Sequence, residues 1–242
     1  MPRDRRRMLL MSGGIPPTNP AYIAKALSYN PIAFWPFVAD ANDVSGNGYN
    51  GTPTAGIVFQ NGTGRDGRAS AYFNDASWID VYSAGLAAAF NGDEIVIGGF
   101  CKQTAAALTD GDYHDFPILY SATAGNFIFM RFLNGGIESD RDASSVHQAW
   151  SPMAAGNFGA GWRHVLFRCS LANNNLATII DGTALGNFAV STVWQGPMSV
   201  TGMLWGASSG SHSLHRWLGW MQYVGIWPYL NNAQCADLAT MV

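Results

Sequence analysis

This chain is poor in the residues that usually mark an enzyme or a nucleic-acid binder. Of its 242 residues only 12% are charged, about half the usual share for a soluble domain. Lys25 and Lys102 are its only lysines, and Glu94 and Glu138 its only glutamates. A chain with so few cations cannot offer phosphate a basic face, so nucleic acid is excluded as an expected partner. Cysteine is scarce too. Cys101, Cys169 and Cys235 are far apart and form no Cys-x-x-Cys pair. This argues against a zinc knuckle, a redox pair or a disulfide scaffold, and predicts three buried free thiols. Long apolar runs are also missing. The longest near the start, Met8-Leu9-Leu10-Met11, is shorter than a membrane span or the core of a secretory signal. Neither membrane insertion nor general export is expected.

What is abundant is turn chemistry and aromatic surface. The chain carries 28 glycines, 11 prolines and 13% aromatic residues, a composition suited to many short strands joined by tight turns. Two hundred or more residues is an ordinary length for one all-β domain. The net charge of −3 is unevenly placed. Arg3, Arg5, Arg6 and Arg7 face only Asp4 in the first seven residues, a local +3, while the rest of the chain carries nine basic and fifteen acidic groups, a net −6.

The first 28 residues read as an extended arm. The Arg-rich start passes through Met8, Leu9 and Leu10 into Ser12-Gly13-Gly14 and Ile15-Pro16-Pro17, where glycine and proline break any periodic pattern. Asn19-Pro20 opens a segment, Ala21–Leu27, that could form two helical turns. From residue 29 short β-like runs take over. They are Ile32–Val38, Gly56–Gln60, Ala69–Asn74, Trp78–Tyr82, Glu94–Lys102, Phe116–Ser121, Phe127–Leu133, Trp162–Ser170, Leu176–Asp181, Val200–Trp205 and Arg216–Trp227. Asn61-Gly62, Asn134-Gly135-Gly136 and Asp181-Gly182 lie between runs and suit hairpin turns. Two short helices are expected near Ala84–Phe90 and Asn232–Met241. The fold class that follows is all-β, a sandwich or jelly roll with an N-terminal arm and a few short helices.

Six motifs in order carry a family resemblance. Pro31–Phe37 is followed by Asp43-Val44-Ser45-Gly46-Asn47-Gly48-Tyr49-Asn50-Gly51-Thr52. Then come Ala71–Asn74 with Trp78–Val81, Glu94–Cys101, Gly161–Val165, Ile180-Asp181-Gly182 and Leu218–Val224. Over residues 29–242 the chain resembles laminin-G-like, concanavalin A-like jelly-roll domains. The resemblance implies two curved antiparallel sheets, and a role in binding or assembly rather than catalysis. The Arg-rich arm is similar to the start of bacteriophage tail, fibre and decoration proteins that display such domains. That resemblance implies a virion component assembled in the host cytoplasm, with other virion proteins and copies of itself as partners and a host surface glycan as target. A bacterial carbohydrate-binding or adhesin module is the alternative, and a glycoside hydrolase a third.

Candidate sites follow from residue chemistry. Aromatic rings can stack on a pyranose face, and Trp150, Trp194 and Tyr113 are the candidate glycan contacts. Both tryptophans lie in polar, proline-bearing segments that read as exposed, whereas Trp35, Trp78, Trp162, Trp220 and Trp227 read as core. Asp40, Asn42, Asp43 and Asn47 put oxygen ligands in one loop. A structural Ca²⁺ there and Asx side chains capping turns are the two readings, with no other cofactor expected. Family members carry an acid after the last glycine of the final motif, where this chain has Gln222-Tyr223. Glu138-Ser139-Asp140-Arg141-Asp142 is similar to the alternate-carboxylate strand of laminarinase-type glycosidases, but without a second glutamate it reads as a solvated hairpin. His114 and His147 read as loop residues. His212 and His215, three apart, would face opposite sides of a strand.

Overall fold

The computed structural model describes residues 18–123, 125–144, 146–207 and 215–241. Over these residues the chain is an all-β, two-sheet antiparallel jelly-roll sandwich, all-β as the turn pattern predicts and two-sheeted as the resemblance implies. The larger sheet is built on two long central strands, β6 (Glu94–Gln103) and β15 (Gly219–Trp227). Beside β6 lie β11 (Arg163–Ser170), β12 (Asn175–Ile180) and β13 (Thr183–Phe188). Beside β15 lie β4 (Ser70–Phe73) and β3 (Val58–Gln60), and β1 (Ala33–Trp35) also pairs with β15. The smaller sheet runs β10 (Val146–Met153), β9 (Gly136–Ala143), β8 (Phe127–Leu133), β7 (Tyr113–Ser121), β14 (Met198–Trp205), β5 (Ile79–Asp80), β2 (Thr52–Pro53).

Turn chemistry sets the register. Asn134 and Gly135 both take positive φ, 49° and 69°, as do Asp181 and Gly182, at 49° and 82°. Those are the torsions a two-residue type I′ hairpin requires, and they join β8 to β9 and β12 to β13. In β6, a side chain at Gly98 would meet the Val165 carbonyl oxygen at 2.0 Å, with φ at +147°. Only glycine lets β11 approach so closely there.

Each strand turns alternate residues into the space between the sheets. Ile95, Ile97, Val165 and Phe167 come from the larger sheet, and Phe116, Leu119, Ile128, Met130, Phe132 and Ile137 from the smaller. Trp35, Trp205 and Trp217 fill the same layer with 1% exposure or less. Phe116 touches both Trp205 and Trp217, at ring-centre distances of 5.3 and 5.6 Å. A short helix, α2 (Ala84–Ala89), places Leu86 in this core. The three cysteines are free and buried as expected. Burial pushes the Cys169 thiol up to about 12 and that of Cys235 to about 11, so both stay protonated and unreactive.

The outer face of the larger sheet is covered by two helices, α1 (Pro20–Ser28) and α3 (Asn232–Leu238). Asn19 caps α1 by accepting from the Tyr22 N–H, with proline in the first turn, and Asn231 with Gln234 forms a capping box on α3. Tyr22 and Ala26 from α1 and Cys235 and Leu238 from α3 pack with Phe34, Phe100, Leu166, Tyr223 and Trp227 from the sheet. The Tyr22 hydroxyl donates to the Leu238 carbonyl at 2.7 Å, and Lys25 Nζ donates to the Asp237 carbonyl at 2.8 Å. The helix expected within residues 1–28 is thus seated on the larger sheet. The arm residues Arg3, Arg5, Arg6, Arg7, Met8, Leu9 and Leu10 lie outside the described residues.

The sequence pattern also missed β2, β9, β10 and β13. Glu138–Asp142, read as a solvated hairpin, is the middle of β9, with Ser139, Asp140 and Arg141 buried. His114 and His147 stand in β7 and β10 rather than in loops.

Candidate functional site

The outer face of the smaller sheet carries a different set of side chains. In β9, Ile137 joins the inter-sheet core, the Ser139 hydroxyl accepts from Thr178 of the opposite sheet, and Arg141 pairs inward with Asp93 at 2.7 Å. Strand alternation therefore turns Glu138, Asp140 and Asp142 outward. The same rule turns Phe127, Phe129 and Arg131 outward from β8, since Ile128, Met130 and Phe132 are core. A register irregularity between Asp115 and Ile118 lets β7 present Asp115, Ile118 and Tyr120 on that side.

Cross-strand register aligns these side chains into rows. One row runs Asp115, Arg131, Glu138 across β7, β8 and β9. The next runs Leu204, Ile118, Phe129, Asp140. A third runs Tyr120, Phe127, Asp142, His147. Ile118, Phe129 and Leu204 form a buried apolar floor, and half-buried Trp78, Tyr120 and Phe127 pack around it. Arg131 lies over the Phe129 ring at 3.8 Å and over Tyr113 at 5.0 Å, so the cation is held flat against aromatic surface. Beside it a cleft of about 380 Å³ is lined by Tyr113, Leu133, Glu138, Ser151 and Met153.

The electrostatics of the face are strained. Asp115 is wholly buried, with Arg131 Nε at 3.4 Å and His215 Nδ1 at 3.7 Å. Burial pushes its carboxyl up to about 7; Arg131 opposes the rise and Glu138 adds to it. Burial also raises Asp140, opposed by His147, whose Nε2 is bonded to its Oδ2. The same bond and the Asp140 charge raise His147. Three carboxylates, a buried aspartate, an arginine and a histidine thus share one sheet face with an aromatic floor. Such a surface can stack a ring and exchange hydrogen bonds with hydroxyl groups.

Of the residues singled out from sequence, Tyr113 belongs to this face, half-buried beside Arg131 and 5.1 Å from the His215 ring. Trp150 does not. It is 9% exposed, sits in the inter-sheet core against Phe167 and donates its Nε1–H to Thr178 at 3.0 Å, which corrects the expectation that it is exposed. Trp194 is half-buried and packs over Gly92 and against Phe90, away from the aromatic floor. Trp78, Trp162 and Trp220, read as core, are only partly buried. Trp78 is the one that reaches the site. Sequence reasoning missed Asp115, Arg131, Phe127 and Phe129. The alternation Phe127-x-Phe129-x-Arg131 held the signal, since core residues occupy the positions between.

In the loop of Asp40, Asp43 and Asn47 the side chains bond to nearby backbone and side-chain groups. Asp43 accepts from the backbone N–H groups of Phe34, Ser45 and Tyr49 and from the Ser45 hydroxyl. Asp40 accepts from Asn42, and Asn47 donates to the Ile32 carbonyl. The carboxylates are engaged within their own loop, in the Asx-turn pattern. Among the described residues no three His, Cys, Asp or Glu side chains group as metal ligands. His212 lies outside the described residues.

No family model and no curated protein matches the chain. Solved structures do. The chain is similar to domain 4 of AbnA, a GH43 extracellular arabinanase from Geobacillus stearothermophilus solved with arabinotriose, at a TM-score of 0.65 and 16% identity over 87% of this chain and 98% of that one. It is also similar to the binding domain of Paraclostridial Mosquitocidal Protein 1, at 0.66 and 15% over 88% of this chain. The receptor-binding domain of botulinum neurotoxin mosaic serotype C/D aligns at 0.65 and 11% over 88% of this chain. The chain spans about half the length of those two toxin domains, 52% and 51%. These likenesses are of fold alone, a jelly-roll sandwich.

Proposed function

We propose that this chain is a carbohydrate-binding module that receives a glycan on the outer face of its smaller sheet and does not cleave it. The observation that carries the reading is the apolar floor of Ile118, Phe129 and Leu204, ringed by Trp78, Tyr120 and Phe127 and bordered by the Asp115–Arg131–Glu138 row. A pyranose or furanose ring presents an apolar face to the half-buried rings that cover this floor, Trp78, Tyr120 and Phe127, and hydroxyls to the reachable part of the border, Arg131 and Glu138. The arabinotriose-bound arabinanase domain and the toxin binding domains, both similar in fold, support the same class.

A hydrolase reading draws on Glu138, Asp140 and Asp142 alternating along one strand. Two features favour binding over cleavage: Asp115 has no exposed surface, and Asp140 is engaged by His147. The finer reading, a bacteriophage virion component that displays this module, rests on the Arg-rich arm and the low charge. On that reading the arm anchors the protein among other virion proteins and copies of itself, and the target is a host surface glycan.

A glycan array probed with the full chain tests the proposal, followed by an assay for new reducing ends. Binding to a defined glycan set without product release is the expected result. A chain that binds nothing on the array, or that releases product and loses this in Glu138→Gln, would overturn it. Deleting residues 1–17 tests the virion reading separately, because incorporation into particles should then fail while glycan binding persists.

A further inference from the structure

Among the described residues, Arg168 is the buried arginine without a carboxylate partner. It alternates with the core residues Phe167 and Cys169 and so points to the outer side of the larger sheet, where it is 3% exposed. Its Nε donates to Asn175 Oδ1 at 2.8 Å, and its Nη1 donates to Asn232 Oδ1 at 2.6 Å and the Leu230 carbonyl at 3.4 Å. All three acceptors are neutral. Arg68, Arg131 and Arg141 each have an aspartate, at 3.0, 3.4 and 2.7 Å. Among the described residues no carboxylate forms an ion pair with Arg168, and its further side-chain partner, the Cys235 thiol, is neutral as well. Glu94 stands on the same face, but its oxygens accept from the Ser170 hydroxyl at 2.8 Å and the Ala172 N–H at 2.7 Å.

Burying an unpaired guanidinium is costly, and folded proteins avoid it unless a partner is supplied. Here the charge borders a cavity of about 830 Å³. The β11–β12 turn with Asn173 and strand β13 with Asn187 give one wall, and the start of α3 with the chain before it gives the other with Tyr229, Asn231 and Asn232. The Tyr229 ring centre lies 5.6 Å from the guanidinium carbon. Cationic floor, amide walls and an aromatic side chain match a ligand with one carboxylate and many hydroxyls.

We propose that this cleft is a second binding site, specific for an acidic saccharide whose uronic carboxylate pairs with Arg168. The amides take its hydroxyls and Tyr229 its ring face. The site shares with the reading above only the glycan class. It lies on the other sheet and uses none of the same residues, so either can fail alone.

Calorimetric titration of the full chain with a galacturonic-acid trisaccharide, with arabinotriose as the neutral probe and with sodium sulfate as the bare anion tests it. The acidic trisaccharide is expected to bind about tenfold or more tightly than sulfate at this site. Arg168→Gln abolishes that binding, and the rim variant Tyr229→Ala, which leaves the buried charge in place, weakens it about tenfold with an unchanged melting temperature. Tyr120→Ala, on the other sheet, binds the acidic probe as the wild type does. Equal binding of sulfate and trisaccharide would overturn the saccharide assignment. Acidic binding that survives both Tyr229→Ala and Arg168→Gln, or that falls only in Tyr120→Ala, would overturn the site.

Discussion

On the larger sheet the outer face is roofed: α1 and α3 bury Phe34, Phe100, Leu166 and Trp227 beneath Tyr22, Ala26 and Leu238. On the smaller sheet, among the described residues, the outer apolar cluster takes no residue from α1, α2 or α3, and its border is charged. Both faces nevertheless bury an ionisable group, and the two groups respond oppositely to pH. His164, paired in register with Phe100 under the roof, is held neutral; burial pushes it down to about 3. Asp115 on the open face is pushed up to about 7. The roofed face is built for stability: it keeps His164 neutral and holds the Arg168 guanidinium among neutral acceptors. The open face retains charge where it costs stability, as binding surfaces do.

The largest expected effect lies at His164. A histidine with a depressed folded-state value contributes stability that is full above its ordinary 6.5 and lost as pH falls toward 3. That loss is on the order of 5 kcal/mol at 1.36 kcal/mol per unit. His164→Phe should remove this acid limb, which urea unfolding at pH 6.5 and 3.5 would reveal as a shallower pH dependence. Asp115 has the opposite sign. Its raised value means stability present below 3.8 is lost as pH rises through 7. Asp115→Asn should therefore gain on the wild type between pH 4 and 8 by roughly 4 kcal/mol, with glycan binding as the counter-readout. If both variants shifted stability in the same direction with pH, the contrast between the faces would collapse.

Some of this contrast was legible in the sequence and some was not. Strands such as Glu94–Gln103 and Arg163–Ser170 announced themselves by apolar runs, and Asn-Gly and Asp-Gly marked the hairpins that set their register. β9 and β10 were hidden because Glu, Ser, Asp and Gln are poor strand formers by composition. They pair through backbone ladders while Ser139 and Arg141 satisfy themselves inside the sandwich. Trp150 misled for a related reason. Its polar neighbours suggest solvent, yet pairing with Ser139 aims it inward. Trp78 misled the other way, because a strand of two residues carries too little alternation to show its face. The helix at Pro20–Ser28 looked detached because its buried stripe is only Tyr22 and Ala26. Its partners lie some 200 residues away in sequence, at Tyr223, Trp227 and Leu238.

Truncations on the two faces sharpen the comparison at smaller scale. Tyr22→Ala removes a fully packed ring and its bond to Leu238, and should cost about 3 kcal/mol in chemical unfolding while leaving glycan affinity intact. Tyr120→Ala removes a half-buried ring from the open face and should cost within about 1 kcal/mol. A larger cost at Tyr120 than at Tyr22 would mean that the open face, too, is there for stability.

The most direct test of the open face as the glycan site is a calorimetric titration of the wild type and of the Trp78→Ala/Tyr120→Ala double variant with the glycan selected on the array. The account predicts saturable binding by the wild type and a loss of at least about tenfold in the double variant, which still melts in one cooperative transition. Equal affinity in both proteins would contradict it.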